Sequence, residues 1–391
     1  MQGLAKNLLV VFALSLLVGY FAQRFPQTQK GRDFADFYIA ARMVHDGRGA
    51  EIYDPLAQDE YLKKYAGRVG TYFIHPPFET LIYLPFALFP LYSAYALWCC
   101  ANATLLGATA ALVSKYVLPR WNWRILLSCS LVFVPLLLNF MQGQDSLILL
   151  FLPTLALVAA EQKSDLAAGC ILACGLFKFH LVLPVALLTV ARASRKMAGG
   201  FIAVAGGLMV LSAGISGWNW PVPYAGFLRQ VSGLPLAGMN SSQMANLRGL
   251  VSVVVPGSPR TALWLTVLGS LLVLYFALPP RRNTANAKSC GRLIFANAIL
   301  AAILIGYHLS PHDLTLLLLP MALILHHLLS SPGIPDGSRI WLFSSLGVLA
   351  LPPAHLWFLH LHLYAITGAL ILLLFAATRA EISRLAAREG L

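Results

Sequence analysis

Charged residues are scarce in this sequence, and acidic ones are the scarcest. Asp, Glu, Lys and Arg together make up 11% of the 391 residues, against 58% for hydrophobic types. A soluble domain has about a quarter of its residues charged, so this composition excludes an ordinary soluble fold. The 28 basic residues outnumber the 15 acidic ones. Because they lie mostly in short loops between apolar runs, they indicate membrane topology and contact with anionic lipid, and no nucleic-acid partner.

Cysteine is also sparse, and its placement predicts neither a disulfide framework nor a metal site. Five of the six cysteines lie inside apolar runs, where cysteine behaves as a small hydrophobic residue. Cys170 and Cys174 share a helical face, but no histidine or carboxylate completes a ligand set. Internal repeats are lacking too. No small-x-small cleavage site follows the first apolar run, which is therefore predicted to be an uncleaved signal anchor.

Apolar segments are abundant, and they predict an all-α polytopic membrane protein with a single domain over residues 1–391. A membrane-spanning helix needs about 20 apolar residues, and fewer where its ends are buried in protein. We expect a bundle of about twelve transmembrane or half-length helices. The candidate spans are residues 7–23, 84–113, 125–140, 146–160, 166–177, 181–191, 198–216, 260–279, 293–307, 314–329, 340–352 and 357–376.

Two of these segments, 166–177 and 181–191, can form either a hairpin of half-length helices or one long broken span. With a cytoplasmic N-terminus, the hairpin puts the basic short loops on the cytoplasmic side, as the positive-inside rule requires. We therefore expect both termini in the cytoplasm and the protein in the plasma (inner) membrane. Two extracytoplasmic loops follow from this topology: residues 24–77, with amphipathic surface helices, and residues 217–258.

Polar side chains interrupt the apolar pattern at segment ends that this topology puts on the extracytoplasmic side. Asp33 and Asp36 lie three residues apart after the first span. They can provide a general base or a metal site, or simply a favourable charge in the first turn of a helix. His75 and Glu79 lie at a Pro-Pro junction, where a histidine either lines a site or anchors the chain at the interface. Polar groups beside hydrocarbon are costly and usually mark a pathway or a site.

Two short polar stretches lie at the same predicted level. Gln142, Gln144 and Asp145 form a tight turn between two spans, where they can cap the next helix or contact sugar hydroxyls. Lys178 and His180 lie at the tip of the predicted hairpin. The lysine either reaches the interface along its aliphatic stem or binds a phosphate group.

A third cluster, His308, His312 and Asp313, lies at another predicted helix junction. The two histidines would share a face of a continuous helix, but Pro311 argues against that continuity. Histidine and carboxylate suit several divalent ions, and imidazole equally suits a phosphate. All of these groups at one face of the membrane predict a single polar cavity, and hence a membrane enzyme.

Several of these motifs occur in a consistent order over roughly residues 30–320. They are Asp33-Phe34, Phe37-Tyr38, Ala40-Ala41, Tyr53-Asp54-Pro55, Pro76-Pro77-Phe78, Gln142-Gly143-Gln144, Lys178 and His312-Asp313. This set resembles glycosyltransferase family 87, integral-membrane enzymes of the GT-C superfamily that include polyprenol-phosphate-mannose-dependent mannosyltransferases. One departure is His180, which stands where proline is common. The resemblance implies a GT-C-type bundle.

The resemblance also implies an activity. A sugar, with mannose the first choice, would pass with inversion from a polyprenyl-phosphate donor to a hydroxyl of a lipid or glycan acceptor outside the cytoplasmic membrane. Asp33 is the first choice for the general base and Asp36 the second. Neither a cofactor nor a metal is expected, and a monomer is expected by analogy. The donor phosphate is assigned to Lys178, His180, His312 and His308, and the sugar or acceptor to His75, Glu79, Gln142, Gln144, Asp145 and Asp313.

Two other classes of protein fit part of this pattern. A transporter or flippase for a polar or anionic lipid would also have broken helices and intramembrane charge. However, the polar groups cluster at one face rather than at the midplane, and no internal repeat is present. A non-catalytic scaffold would tolerate replacement of the Asp and His residues without loss of activity.

Overall fold

The computed structural model describes residues 31–190, 194–232, 241–278, 288–331 and 333–388, and all its regular structure there is helical. The α-helices are α1 Arg32–His45, α2 Pro55–Ala66, α3 Thr80–Tyr83, α4 Leu91–Leu112, α5 Trp123–Leu131, α6 Val134–Gln142, α7 Ser146–Glu161, α8 Asp165–Ala173, α9 Phe179–Val190, α10 Arg195–Ser216, α11 Pro221–Ser232, α12 Leu247–Val254, α13 Pro259–Ala277, α14 Lys288–Ile305, α15 Leu318–Ser330, α16 Asp336–Ala350, α17 Pro352–His360 and α18 Ala365–Arg388. The predicted all-α fold is confirmed. The predicted first span, 7–23, lies outside the described residues.

Several of these helices are long and apolar enough to cross a membrane. Six helical runs pass by length and hydropathy among the described residues, and eight if each of two sharply bent pairs, α5 with α6 and α16 with α17, forms one span. The chain is thus a polytopic membrane protein. The predicted number of about twelve helices stays a prediction. The six runs are Leu91–Val117, Asp165–Val190, Arg195–Ser216, Pro259–Ala277, Pro311–Ser330 and Ala365–Ala387.

The run from Asp165 to Val190 is long and apolar enough to form one span, and its helix type changes part-way. Helix α8 passes into a 3₁₀ segment, Cys174–Lys178, which leads into α9. A β-carbon built on Gly175 would lie 3.0 Å from a methyl group of Val182. Residues seven apart in a straight helix are separated by about 10.5 Å along its axis, so this contact requires a turn. The chain therefore bends near Lys178, and whether it forms the predicted hairpin or one broken span stays a prediction.

The segment from α1 to α4 has its own hydrophobic core. Phe34, Tyr38, Met43 and Leu62 are buried there together with Trp98 from α4. Helix α2 is amphipathic, as predicted for this loop, because one face is buried and the other exposed. Helix α1 differs from the prediction of a surface helix: residues 34–41 are all buried. Aromatic side chains from neighbouring elements, among them Tyr83 and Trp98, also cover the faces of α1 that its sequence pattern predicted to be exposed to solvent or lipid.

The two ends of helix α7 form different ion pairs. At the C-terminal end of α7, Glu161 pairs with Arg292, with Nε and Oε1 2.6 Å apart. The N-terminal end of α7 instead meets Lys178 through Asp145. We call this second end the polar end, defined by Asp33, Gln144, Lys178 and His312. Away from the polar end, Nε2 of His327 lies 2.9 Å from Oε1 of Glu381.

Glycines allow α8 and α10 to pack with their backbones in contact. A β-carbon at Gly200 would lie 2.4 Å from the carbonyl oxygen of Leu166, whereas one at Gly206 of the same helix meets nothing within 4 Å. We therefore expect Gly200→Ala to lower the free energy of unfolding by about 1–3 kcal/mol through overpacking. Gly206→Ala should leave it unchanged or raise it by up to about 1 kcal/mol through helix propensity. Thermal unfolding of the purified protein in detergent measures both; equal midpoints would contradict the close contact.

Candidate active site

Asp33 lies at the start of α1, where that helix meets the turn after α6. The backbone N–H of Gly31 donates to the carbonyl of Met141 over 2.7 Å, which fixes the end of α1 against this turn. The side-chain amide of Gln144 donates to Oδ2 of Asp33 over 2.7 Å. Among the described residues, Gln144 is the one side chain that hydrogen-bonds this carboxylate, which stays partly exposed. Asp33 is therefore held in place and open to a further ligand.

Gly143 makes this approach possible. Its φ is 73°, in the left-handed region, and a β-carbon there would lie 2.5 Å from Cβ of Phe34. The indole N–H of Trp98 donates to the Gly143 carbonyl over 2.9 Å, and the hydroxyl of Tyr95 donates to the Phe140 carbonyl over 2.7 Å. The turn is thus fixed from α4, and a larger residue would separate Asp33 from Gln144.

Asp36 lies on the same helix but has different partners. Its Oδ1 accepts hydrogen bonds from Arg68 over 3.0 Å and from Thr71 over 2.7 Å. The residue is 8% exposed. Burial raises the pKa of Asp36 to about 7, although the Arg68 charge opposes the shift. The Asp36 carboxylate is thus occupied by hydrogen bonds to the loop that contains Arg68, whereas that of Asp33 forms no hydrogen bond with this loop.

His75, Glu79 and Asp145 form a buried cluster next to these elements. Nδ1 of His75 lies 2.7 Å from Oε2 of Glu79, and the Tyr53 hydroxyl donates to the His75 carbonyl over 2.8 Å. Burial raises the pKa of Glu79 to about 7, so this carboxyl is partly protonated near neutral pH. One ligand atom from each of the three residues lies within 4.8 Å of the other two, a spacing that suits a divalent cation or a shared proton.

Lys178 connects this cluster to the far side of the site. Its ammonium nitrogen lies 2.5 Å from Oδ1 of Asp145 and 2.5 Å from Oδ1 of Asp313, and Lys178 is 3% exposed. A buried charge without a partner costs several kcal/mol, so these two carboxylates are the condition for the lysine to be here. Direct contact of Lys178 with a phosphate group would require one of the two ion pairs to open.

Asp313 and His312 belong to a 3₁₀ helix, Pro311–Leu317, that begins at the predicted junction. Oδ2 of Asp313 accepts the backbone N–H of Ser310 over 2.9 Å, and the Ser146 hydroxyl lies 3.2 Å from its Oδ1. A ring nitrogen of His312, Nδ1, lies 2.7 Å from Oε1 of Gln142. The amides of Gln142 and Gln144, two residues apart, therefore contact His312 and Asp33 respectively.

His308 and His180 lie beside this helix and are both partly exposed. His308 precedes the helix start at Pro311, so the two late histidines do not lie on one continuous helix, as the proline indicated. Burial lowers the pKa of His308 to about 4, so its imidazole is neutral at pH 7. Nε2 of His180 is buried and has no hydrogen-bond partner among the described residues. The neutral imidazole of His308 and Nε2 of His180 thus line this side.

Comparison with known families identifies the chain. A model of glycosyltransferase family 87 matches residues 73–311. The chain belongs to glycosyltransferase family 87. No curated protein and no solved structure matches it.

In this family 87 glycosyltransferase, the matched region contains the His75–Glu79 cluster, Lys178 and His308. His312 follows the last matched residue and Asp33 lies well before the first one, so the structure alone connects these two residues to the matched part. Sequence reasoning missed Ser146, Arg68 and Thr71. Their short polar side chains or loop positions carry no pattern, and their partners are distant in the sequence. The sequence-predicted residues form contacts in three groups: Asp33 with Gln144; Gln142 with His312; and His75, Glu79, Asp145, Lys178 and Asp313.

The raised pKa of Asp36 makes the stability of the protein depend on pH. The unfolded carboxyl titrates near 3.8 and the folded one near 7, so the folded chain keeps the proton between these values and loses stability as pH rises. Asp36→Asn removes this contribution. Relative to wild type, we expect it to gain up to about 4 kcal/mol between pH 4 and pH 8, measured by thermal unfolding. Asp336→Asn, at an exposed aspartate, is the control; a pH-independent difference for Asp36→Asn would contradict the assignment.

Proposed function

We propose that this chain transfers a sugar, mannose in the first instance, from a polyprenyl-phosphate donor to an acceptor hydroxyl at the polar end of the bundle. Asp33 is the general base of the proposed reaction. The observation that carries this proposal is the contrast between Asp33 and Asp36. Asp33 is partly exposed and bound by one neutral amide, whereas Asp36 is paired with Arg68 and Thr71. A base must be free to accept a proton from a substrate hydroxyl.

The proposed reaction is a single displacement with inversion. The acceptor oxygen forms a bond to the anomeric carbon while the bond from that carbon to the phosphate oxygen breaks. The acceptor proton moves to Asp33, and the electron pair of the broken bond leaves with the polyprenyl phosphate. The Gln144 amide orients the carboxylate by donating to one of its oxygens, which leaves the other oxygen for the incoming hydroxyl.

The donor phosphate is proposed to lie on the His312 side. His308 and His180 supply N–H donors to the phosphate oxygens, whose negative charge grows as the bond breaks. His312 is proposed to face the phosphate with the edge that carries Nε2, because its Nδ1 is bound to Oε1 of Gln142. Lys178 acts on the phosphate through its charge. Because its ammonium already contacts Asp145 and Asp313, Lys178 serves mainly to offset the charge of these two carboxylates beside the phosphate.

Amide side chains suit the sugar and the acceptor. Gln142 and Gln144 lie between His312 and Asp33, and each has both a donor and an acceptor to offer sugar hydroxyls. His75, Glu79, Asp145 and Asp313 are proposed to line or support the same groove. Asp145 and Asp313 do so mainly by holding the lysine, and Glu79 by holding the imidazole of His75.

The proposed setting is the extracytoplasmic face of the plasma membrane, with both termini in the cytoplasm. This orientation puts the basic end of the bundle, with Arg292 and Arg384, on the cytoplasmic side, in agreement with the positive-inside rule. The donor and the surrounding membrane lipids are the expected partners, with a lipid or glycan as acceptor and a monomer as the working unit.

Replacement of the base tests the proposal. Asp33→Asn keeps the shape and the contact with Gln144 but cannot accept the proton, so the rate of transfer should fall by about 10²–10⁴-fold. Membranes supplied with radiolabelled polyprenyl-phosphate mannose provide the assay, and Asp36→Asn is the matched comparison. Loss with Asp36→Asn alone would move the base to that residue. Absence of transfer by wild type, followed by donor movement across vesicles in a flipping assay, would favour a flippase instead.

The absence of a metal requirement is a separate prediction. His75, Glu79 and Asp145 are the described residues whose spacing suits a cation. However, Glu79 and Asp145 each contact a nitrogen group within 2.7 Å, and the Lys178 ammonium would repel a cation. Treatment with EDTA should therefore leave transfer within about twofold of the untreated enzyme. A larger loss that Mn²⁺ or Zn²⁺ restores in wild type, but not in Glu79→Gln, would establish a metal at this cluster.

A further inference from the structure

The donor-binding side of the site needs a positive charge that its core does not supply. Lys178 is buried between two carboxylates, and this group of three residues carries a net negative charge. His308 is neutral at pH 7 because burial lowers its pKa to about 4. A phosphodiester that enters beside these groups carries a negative charge of its own. A further cation at the surface of the site would offset this repulsion.

We infer that Arg248, at the start of α12, binds the phosphate group of the lipid-linked substrate. This inference rests on the proposed function, since it assigns a further binding residue to the same site. The guanidinium group forms planar, paired hydrogen bonds with phosphate oxygens and keeps its charge at any physiological pH. Arg248 would hold the phosphate at the mouth of the site, with His308 donating from the interior.

The position of Arg248 is fixed by residue 307. Its Nη1 donates to the carbonyl oxygen of Tyr307 over 3.1 Å, and its guanidinium carbon lies 4.4 Å from the centre of the Tyr307 ring. That carbonyl belongs to the peptide bond that joins Tyr307 to His308, so the cation lies next to this histidine in space. Among the described residues, Nε and Nη2 of Arg248 take part in no hydrogen bond. These two donors are parallel and available to an anion.

The adjoining backbone is anchored on both sides. The side-chain amide of Asn246 donates to the Gly306 carbonyl over 2.6 Å, and its oxygen caps α12 by accepting the N–H of Gly249 over 2.9 Å. On the other side, a β-carbon at Gly306 would lie 3.0 Å from Leu181, the residue after His180. Arg248, His308 and the start of α9 therefore surround one short segment, residues 306–308.

A lipid-linked phosphate fits this position better than a free one. Helix α12 is short, and its far end exposes Val253 and Val254 by 41% and 76%. At 1.5 Å per residue, these side chains lie within about 10 Å of Arg248 along the helix axis. A cation followed by an exposed apolar surface matches a phosphate group followed by a prenyl chain.

Binding and transfer by four purified proteins in detergent test the inference. They are wild type, Arg248→Gln, Arg248→Lys and Arg260→Gln. Gln can still donate to the Tyr307 carbonyl but carries no charge, and Arg260 is an exposed arginine at the start of α13. We expect Arg248→Gln to weaken binding of farnesyl phosphate, and to raise KM for the polyprenyl-phosphate sugar, by about 10–100-fold. Arg248→Lys should recover part of both, and Arg260→Gln should match wild type within about twofold.

The outcomes separate this inference from the proposed function. Asp33→Asn should bind farnesyl phosphate as wild type does while failing to transfer. If wild type transfers no sugar but binding still depends on Arg248, the phosphate site stands and the proposed reaction fails. If Arg248→Gln has wild-type binding and KM, the inference is wrong. It is equally wrong if inorganic phosphate binds as tightly as farnesyl phosphate, or if excess phosphatidylglycerol displaces the ligand, because the site would then take any phosphate.

Discussion

The burial of the Lys178 ammonium is the constraint on which the rest of the polar end depends. A charge at 3% exposure needs close partners, and two carboxylates provide them from segments on either side in the sequence. Asp145 caps the start of α7, Lys178 ends the 3₁₀ segment before α9, and Asp313 lies in the first turn of the 3₁₀ helix Pro311–Leu317. The three elements must therefore meet at Lys178, and this ion group forms the buried base of the site.

The remaining elements of the site are joined to this ion group by hydrogen bonds rather than by further ion pairs. Gln142 joins the turn before α7 to His312, and Gln144 joins it to Asp33 on α1. The close approach at Gly143 fixes the distance between α1 and the turn. As a result, the proposed base and the proposed phosphate ligands are held on opposite sides of the turn that contains Gln142 and Gln144. A direct displacement needs this arrangement, because the acceptor attacks the anomeric carbon from the side opposite the phosphate.

Sequence patterns predicted the features that are local or that have a large energetic cost. The apolar runs indicated the helical membrane fold, and the lysine between two phenylalanines indicated a polar site because an isolated charge there is rare. Pairings between distant segments left no such signal. The contacts of Asp36 with Arg68 and Thr71, and the enclosure of α1, depend on how loops fold back. Arg248 looked like any basic residue of an outer loop, because only the position of Tyr307 distinguishes it.

The two carboxylates that flank Lys178 also set an order of events during synthesis. Membrane segments emerge from the ribosome in sequence order, so the lysine meets Asp145 first and Asp313 only after the chain has passed residue 313. Until then, Lys178 has a single counter-charge. The later helices therefore complete an ion group that the earlier ones leave half-formed, and a nascent chain that stops before Asp313 would hold the proposed base without a finished site.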